Sequence, residues 1–92
     1  MKRWVKITVF GTVQGVGYCE HVKEYADKFS IEGTVQYEDR GSVLIYAAGS
    51  NEALDDFIDY VYQGSKKSLV EEVAIEIATS SRDFRGVFRI IA

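Results

Sequence analysis

The sequence contains no proline, and only one cysteine, one histidine, one methionine and one tryptophan among its 92 residues. Without proline, no turn is preset by a fixed φ, so departures from ordinary backbone conformation fall to the eight glycines. A lone Cys19 cannot close an internal disulfide, and Cys19 with His21 is too small a set of soft ligands for a zinc site. Neither a metal nor a cofactor is expected. The chain is also short of positive charge, with 11 Lys and Arg against 14 Asp and Glu and a net charge of −3. This excludes a protein whose main work is holding nucleic-acid phosphates, and any anion site must be local. No apolar run is long enough to cross a membrane, and no apolar stretch of the secretory type follows Lys2 and Arg3, so cytoplasmic residence is expected. What remains is a globular balance of 47% apolar and 27% charged residues. A chain this short buries roughly 60–65% of the surface its unfolded form exposes, which predicts one core and one domain over residues 1–92; a monomer is expected.

Val5, Ile7 and Val9 alternate with Lys6 and Thr8, which predicts a strand reaching Gly11 through Phe10. Val22, Tyr25, Ala26 and Phe29 then recur at helical spacing, with Tyr18 and Cys19 one turn earlier on the same side. Two β-branched runs, Thr34 to Glu38 and Ser42 to Ala48, flank Asp39-Arg40-Gly41 and predict a hairpin. Leu54, Phe57, Ile58 and Val61 define a second helix, with Ser50 or Asn51 to cap its start and Gly64 to end it. Val73, Ile75 and Ile77 alternate as a further strand, and Val87 to Ile91 offers a short last one. The order β-α-β-β-α-β predicts an α+β, ferredoxin-like sandwich. Its antiparallel sheet has spatial order 4-1-3-2 and carries both helices on one face.

The chemistry-bearing stretch is Gly11-Thr12-Val13-Gln14-Gly15-Val16-Gly17-Tyr18, between the first strand and the first helix. Two glycines one residue apart, just before a helix start, allow successive N–H groups to converge on a concavity at the positive end of the helix dipole. Such a nest suits phosphate or sulfate. It lacks the third glycine and downstream acid of a dinucleotide fingerprint and the Gly-Lys-Ser/Thr ending of a Walker loop. A tight turn with nothing bound satisfies the same spacing.

The string at positions 11–18 resembles the signature loop of the acylphosphatase family, and Gly33-Thr34-Val35 through Asp39, Arg40 and Gly41-Ser42-Val43 to Gly49 resembles its second signature. The resemblance implies the same sandwich fold and a phosphate or acyl phosphate as ligand. It also implies metal-free hydrolysis of carboxyl-phosphate anhydrides, with loop amides and one arginine clamping the phosphoryl oxygens and one asparagine positioning the attacking water. The implied phosphate-binding positions are Gln14, Gly15, Val16, Gly17, Tyr18 and Cys19. Two departures bear on catalysis: the arginine position is Cys19, and the asparagine position is Tyr37. The resemblance therefore implies a retained anion loop with reduced or lost catalysis.

Two rival expectations stand beside this one. Catalytic groups can have relocated, with Arg40 in the hairpin loop, or Arg82, Arg85 or Arg89, supplying a guanidinium and Tyr37 holding a water. Alternatively, the loop is purely structural and an edge strand or sheet face meets a protein partner. Cys19 is expected as a small apolar member of the helix stripe, since a Cys-x5-Arg phosphatase loop would need arginine at Tyr25. His21 is expected at the surface, and Glu52, Asp55, Asp56 and Asp59 as a solvated helix face.

Overall fold

The computed structural model describes residues 2–14, 17–64, 67–78 and 84–91. Along the chain these form β1 (Arg3–Thr12), α1 (Tyr18–Lys28), β2 (Glu32–Tyr37), β3 (Val43–Gly49), α2 (Asn51–Gln63), β4 (Leu69–Ile77) and β5 (Phe88–Ile91). The alternation in β1 has the predicted effect. Val5, Ile7 and Val9 are buried, while Lys6 and Thr8 keep partial exposure on the opposite face. β1 pairs antiparallel with β3 on one side and β4 on the other, and β2 pairs antiparallel with β3.

The predicted order 4-1-3-2 is present and is extended to β4-β1-β3-β2-β5. The sheet is not wholly antiparallel, because β5 lies parallel to β2, with Phe88 opposite Gly33 and Ile90 opposite Val35. Two local features hold β5 on this edge. The buried Glu32 carboxylate accepts from Gly86 N–H at 2.7 Å and pairs with Lys2 at 2.6 Å. Phe88 inserts beside Phe57, with ring centroids 6.0 Å apart at 65°. Each Phe, Leu or Val buried in this way contributes about 1.5–3 kcal/mol.

The core joins Val35, Val43 and Ile45 of the sheet to Val22 and Ala26 of α1 and to Leu54, Phe57 and Val61 of α2. α2 begins as predicted, with the Ser50 hydroxyl accepting from Ala53 N–H at 3.2 Å, and ends with the Gly64 N–H donating to Tyr60 O at 3.2 Å. Glu52, Asp55, Asp56 and Asp59 are exposed on it, as expected. β4 starts at Leu69, four residues before its predicted first residue, and a register shift opposite Phe10 and Gly11 breaks its regular pairing with β1. Ile75 and Ile77 pair with Ile7 and Val5 and share their face, yet they are 42% and 73% exposed. Alternation correctly assigned their side of the sheet; only the layer above decides how much of an edge strand is covered.

Two residues of α1 depart from expectation. His21 is not a free surface residue: it stacks on Tyr60 of α2 at 4.4 Å and 13°, with Nδ1 3.4 Å from the Tyr60 hydroxyl. Its Nε2 is buried without a hydrogen-bond partner among the described residues. Tyr25 continues the stack between Tyr60, at 3.8 Å, and Phe29, at 4.3 Å. Phe29 has left the buried stripe and sits as the exposed C-cap.

Candidate anion site at the start of the first helix

The turn from β1 into α1 brings a loop end, a hairpin and a helix N-terminus together. Val13 is fully buried and anchors the loop to the core. Gln14 lies at the surface, but its side-chain amide donates to Glu38 O at 2.7 Å and Ser42 O at 3.2 Å. Gln14 therefore ties the loop to the β2–β3 hairpin through its side chain, and that amide is already engaged. The hairpin is braced in turn: the Ser42 hydroxyl donates to Glu38 Oε1 at 3.0 Å, Glu38 N–H to Ser42 O at 2.9 Å, and Gly41 N–H to Glu38 O at 3.0 Å. Sequence reasoning missed this support because its acceptors are mainly carbonyls, which every residue type carries.

Gly15 and Val16, the centre of the expected nest, lie outside the described residues. Gly17 caps α1 in the left-handed conformation, φ 74° and ψ 19°, and offers no side-chain acceptor to the first turn. A β-carbon at Gly17 would meet nothing within 4 Å, so the glycine answers a backbone requirement and not crowding. The positive end of the α1 dipole thus begins at a residue without a side chain.

Tyr18 contributes only main-chain groups to this mouth. Its ring is fully buried, and its hydroxyl donates to Val61 O of α2 at 2.9 Å. Burial, with a smaller contribution from Cys19, pushes the phenol well above its ordinary range. Cys19 is also fully buried, consistent with the expected apolar stripe. Burial raises its thiol, Tyr37 partly offsets the rise, and Glu20 adds to it. Such a thiol holds its proton at neutral pH and is not an activated nucleophile.

The fold brings Cys19 and Tyr37 together. Tyr37 ends β2 opposite the buried Val43, which places it on the helix-covered face. Although 39% exposed, its hydroxyl lies beside Cys19. Desolvation leads in raising the Tyr37 phenol, followed by the Cys19 thiol and Glu20, while the Cys19 main chain partly offsets the rise. Tyr37 therefore has a polar partner beyond the cross-strand packing typical of a strand tyrosine.

The arginines expected as substitutes do not converge here. Arg40 lines a shallow depression of about 510 Å³ with Thr8, Phe10, Glu38, Asp39 and Ser42. Thr8 and Phe10 are the β1 residues that point away from Val5, Ile7 and Val9, so this depression opens on the helix-free face. Arg89 stands opposite Thr34 on that same face, Arg85 lies in the turn before β5, and Arg82 is outside the described residues. Nor does His21 join Cys19, since its ring is stacked on α2. Among the described residues no three His, Cys, Asp or Glu side chains gather as a metal site, and no helix is long and apolar enough to cross a membrane.

The family model described as acylphosphatase matches residues 5–90. Among characterised proteins, an acylphosphatase of Staphylococcus haemolyticus is 43% identical over 79 residues, covering 85% of this chain and 88% of that protein. An acylphosphatase of Bacillus subtilis is 39% identical over 84 residues, covering 91% and 89%. The crystal structure of acylphosphatase from Bacillus subtilis superposes with a TM-score of 0.93 over 100% of both chains at 35% identity.

Proposed function

Because the chain belongs to the acylphosphatase family, we propose that it binds phosphate or a small acyl phosphate on the loop from Gln14 to Cys19, with strongly reduced or lost hydrolysis. The proposal takes residues 1–92 as one acylphosphatase-like domain. The proposal includes residence in the cytoplasm.

The observation that carries this reading is the meeting of Cys19 with Tyr37, where the family resemblance places an arginine and an asparagine. In acyl phosphate hydrolysis a water oxygen bonds to phosphorus, the bond from phosphorus to the acyl oxygen breaks, and the carboxylate leaves with the electron pair. The protein contributes mainly position and charge stabilisation for the equatorial oxygens. Amides at the mouth of α1 can accept the anion and share the helix dipole. A buried, protonated thiol adds no positive charge. The Tyr37 hydroxyl lies beside Cys19, and a phenol carries its donor and acceptor on one oxygen, whereas an amide presents them to a water on two separate atoms. Losing a bidentate guanidinium removes about 1.5–3 kcal/mol of ground-state binding, or roughly ten- to a hundredfold in affinity. In the transition state, a missing preorganised donor costs about 10²–10³ in rate.

Turnover of a small acyl phosphate tests the reading directly, and a rate within about tenfold of an ordinary acylphosphatase would overturn it. The paired variant Cys19→Arg, Tyr37→Asn is expected to gain about 10²-fold or more in turnover. Amide shifts at Gly17 to Cys19 in millimolar phosphate report the retained loop, and their absence would remove the binding half of the proposal.

A further inference from the structure

The two edges of the sheet differ in chemistry and direction. β4 forms one edge and β5 the other. β4 runs antiparallel to β1, β1 to β3 and β3 to β2, while β5 follows the direction of β2. β4 and β5 therefore point in opposite directions across the molecule. On the helix-covered face, β4 presents Ile75 and Ile77, 42% and 73% exposed, and β5 presents Ile90, 37% exposed. On the open face, β4 carries Glu72, Ala74 and Glu76, all exposed, and β5 carries Arg89 and Ile91. Arg89 forms no ion pair among the described residues, and Glu76 has only a 3.8 Å approach from Lys6.

We propose that these edges are complementary to each other, and that a second copy of this chain docks β4 against β5 of the first to continue the sheet. Sliding one copy sideways keeps the helices on one side and brings β5 beside the neighbouring β4 in the antiparallel sense. Strand parity then permits one register in which every pair matches. Ile90 faces the neighbouring copy's Ile75, Phe88 its Ile77, Arg89 its Glu76, and Ile91 its small Ala74. The exposed Ile90 and Ile75 meet on the helix-covered side of the sheet, beside Ile77, and the opposite charges meet on the open face. Like edges do not match in this way. Two β4 strands would set Glu72 and Glu76 of one copy among those of the other, and two β5 strands would bring their arginines together. The charges on exposed edges that deter indiscriminate pairing thus favour the unlike joint. The contact is heterologous, so it propagates as open chains of copies rather than closing as a dimer. Its length is limited by the four residues of β5, which makes the association weak and concentration-dependent. This departs from the monomer expected from sequence.

Sedimentation velocity of the whole protein from about 10 µM to about 1 mM at low salt tests the joint. The expected result is an average sedimentation coefficient that rises with concentration, and less so at high salt. Arg89→Glu and Glu76→Arg alter exposed residues and should leave the far-UV circular dichroism unchanged, while each alone weakens association at least about tenfold. Mixing the two variants restores complementary charges at both kinds of joint and should restore association. A coefficient independent of concentration would overturn the proposal, as would association untouched by Arg89→Glu or an equimolar mixture that stays dissociated.

Discussion

A buried hydroxyl and a buried thiol occupy neighbouring positions at the start of α1, and they do different work. Tyr18 fills the space between the helices and places its hydroxyl on Val61 O at 2.9 Å. Deleting that hydroxyl leaves a carbonyl of α2 without this donor inside the protein, a loss of about 1–2 kcal/mol. Tyr18→Phe should therefore lower the urea midpoint by that energy divided by an unchanged m-value, and an unaltered midpoint would show that the carbonyl finds another donor. Cys19 lies beside Tyr37, so the two positions the family resemblance assigns to catalysis are brought together, each shifting the other's titration. From the sequence, both departures were visible as single letters, but their contact was not, because 18 positions separate them and only strand parity and helix phase bring them together.

At the scale of elements, the backbone of Gly33 would turn a side chain onto the neighbouring strand β3. Gly33 has φ +152°, and a β-carbon there would lie 1.8 Å from Tyr46 O, a backbone atom of the neighbouring strand. No rotamer change relieves such a contact. Gly33→Ala is expected to cost about 3–5 kcal/mol, well beyond any gain from restricting the unfolded chain. Thermal unfolding of this variant measures the effect, and a loss under 1 kcal/mol would show that the strands can part. The glycine also adjoins Glu32, whose carboxylate holds the turn before β5, so hydrogen exchange in β5 should accelerate in the same variant. α2 was legible nearly residue by residue, since its cap, its apolar stripe and its terminating glycine are all local signals. β4 was less so: its extension to Leu69 depends on the register shift opposite Phe10 and Gly11, which no periodicity encodes.

For the whole molecule, buried acids with raised pKa set an alkaline limit. Cys19 departs upward from 9.0 and Tyr18 from 10.0, in both cases chiefly through burial. Above those values the unfolded chain releases protons that the folded chain retains, so the unfolded state binds fewer protons and stability falls as pH rises. Stability from these groups is whole below about pH 9, declines beyond it, and declines faster above about pH 10, by up to about 1.4 kcal/mol per pH unit for each group. Denaturant midpoints from pH 7 to about pH 11 test this. Cys19→Ser should move the onset upward towards about pH 10, and a midpoint flat throughout would contradict it.

By itself, the sequence determined the order of elements, the buried faces of β1 and α2, and the position of a glycine-bearing turn before α1. These follow from periodicity, caps and glycines, which act over a few residues. Tertiary structure alone decided that Gln14 spends its amide on the hairpin, that Arg40 faces away from Cys19, that His21 stacks on Tyr60, and that β5 joins β2 in parallel. Each of these depends on which surface lies opposite a side chain once distant segments have packed, a relation that a one-dimensional pattern does not contain.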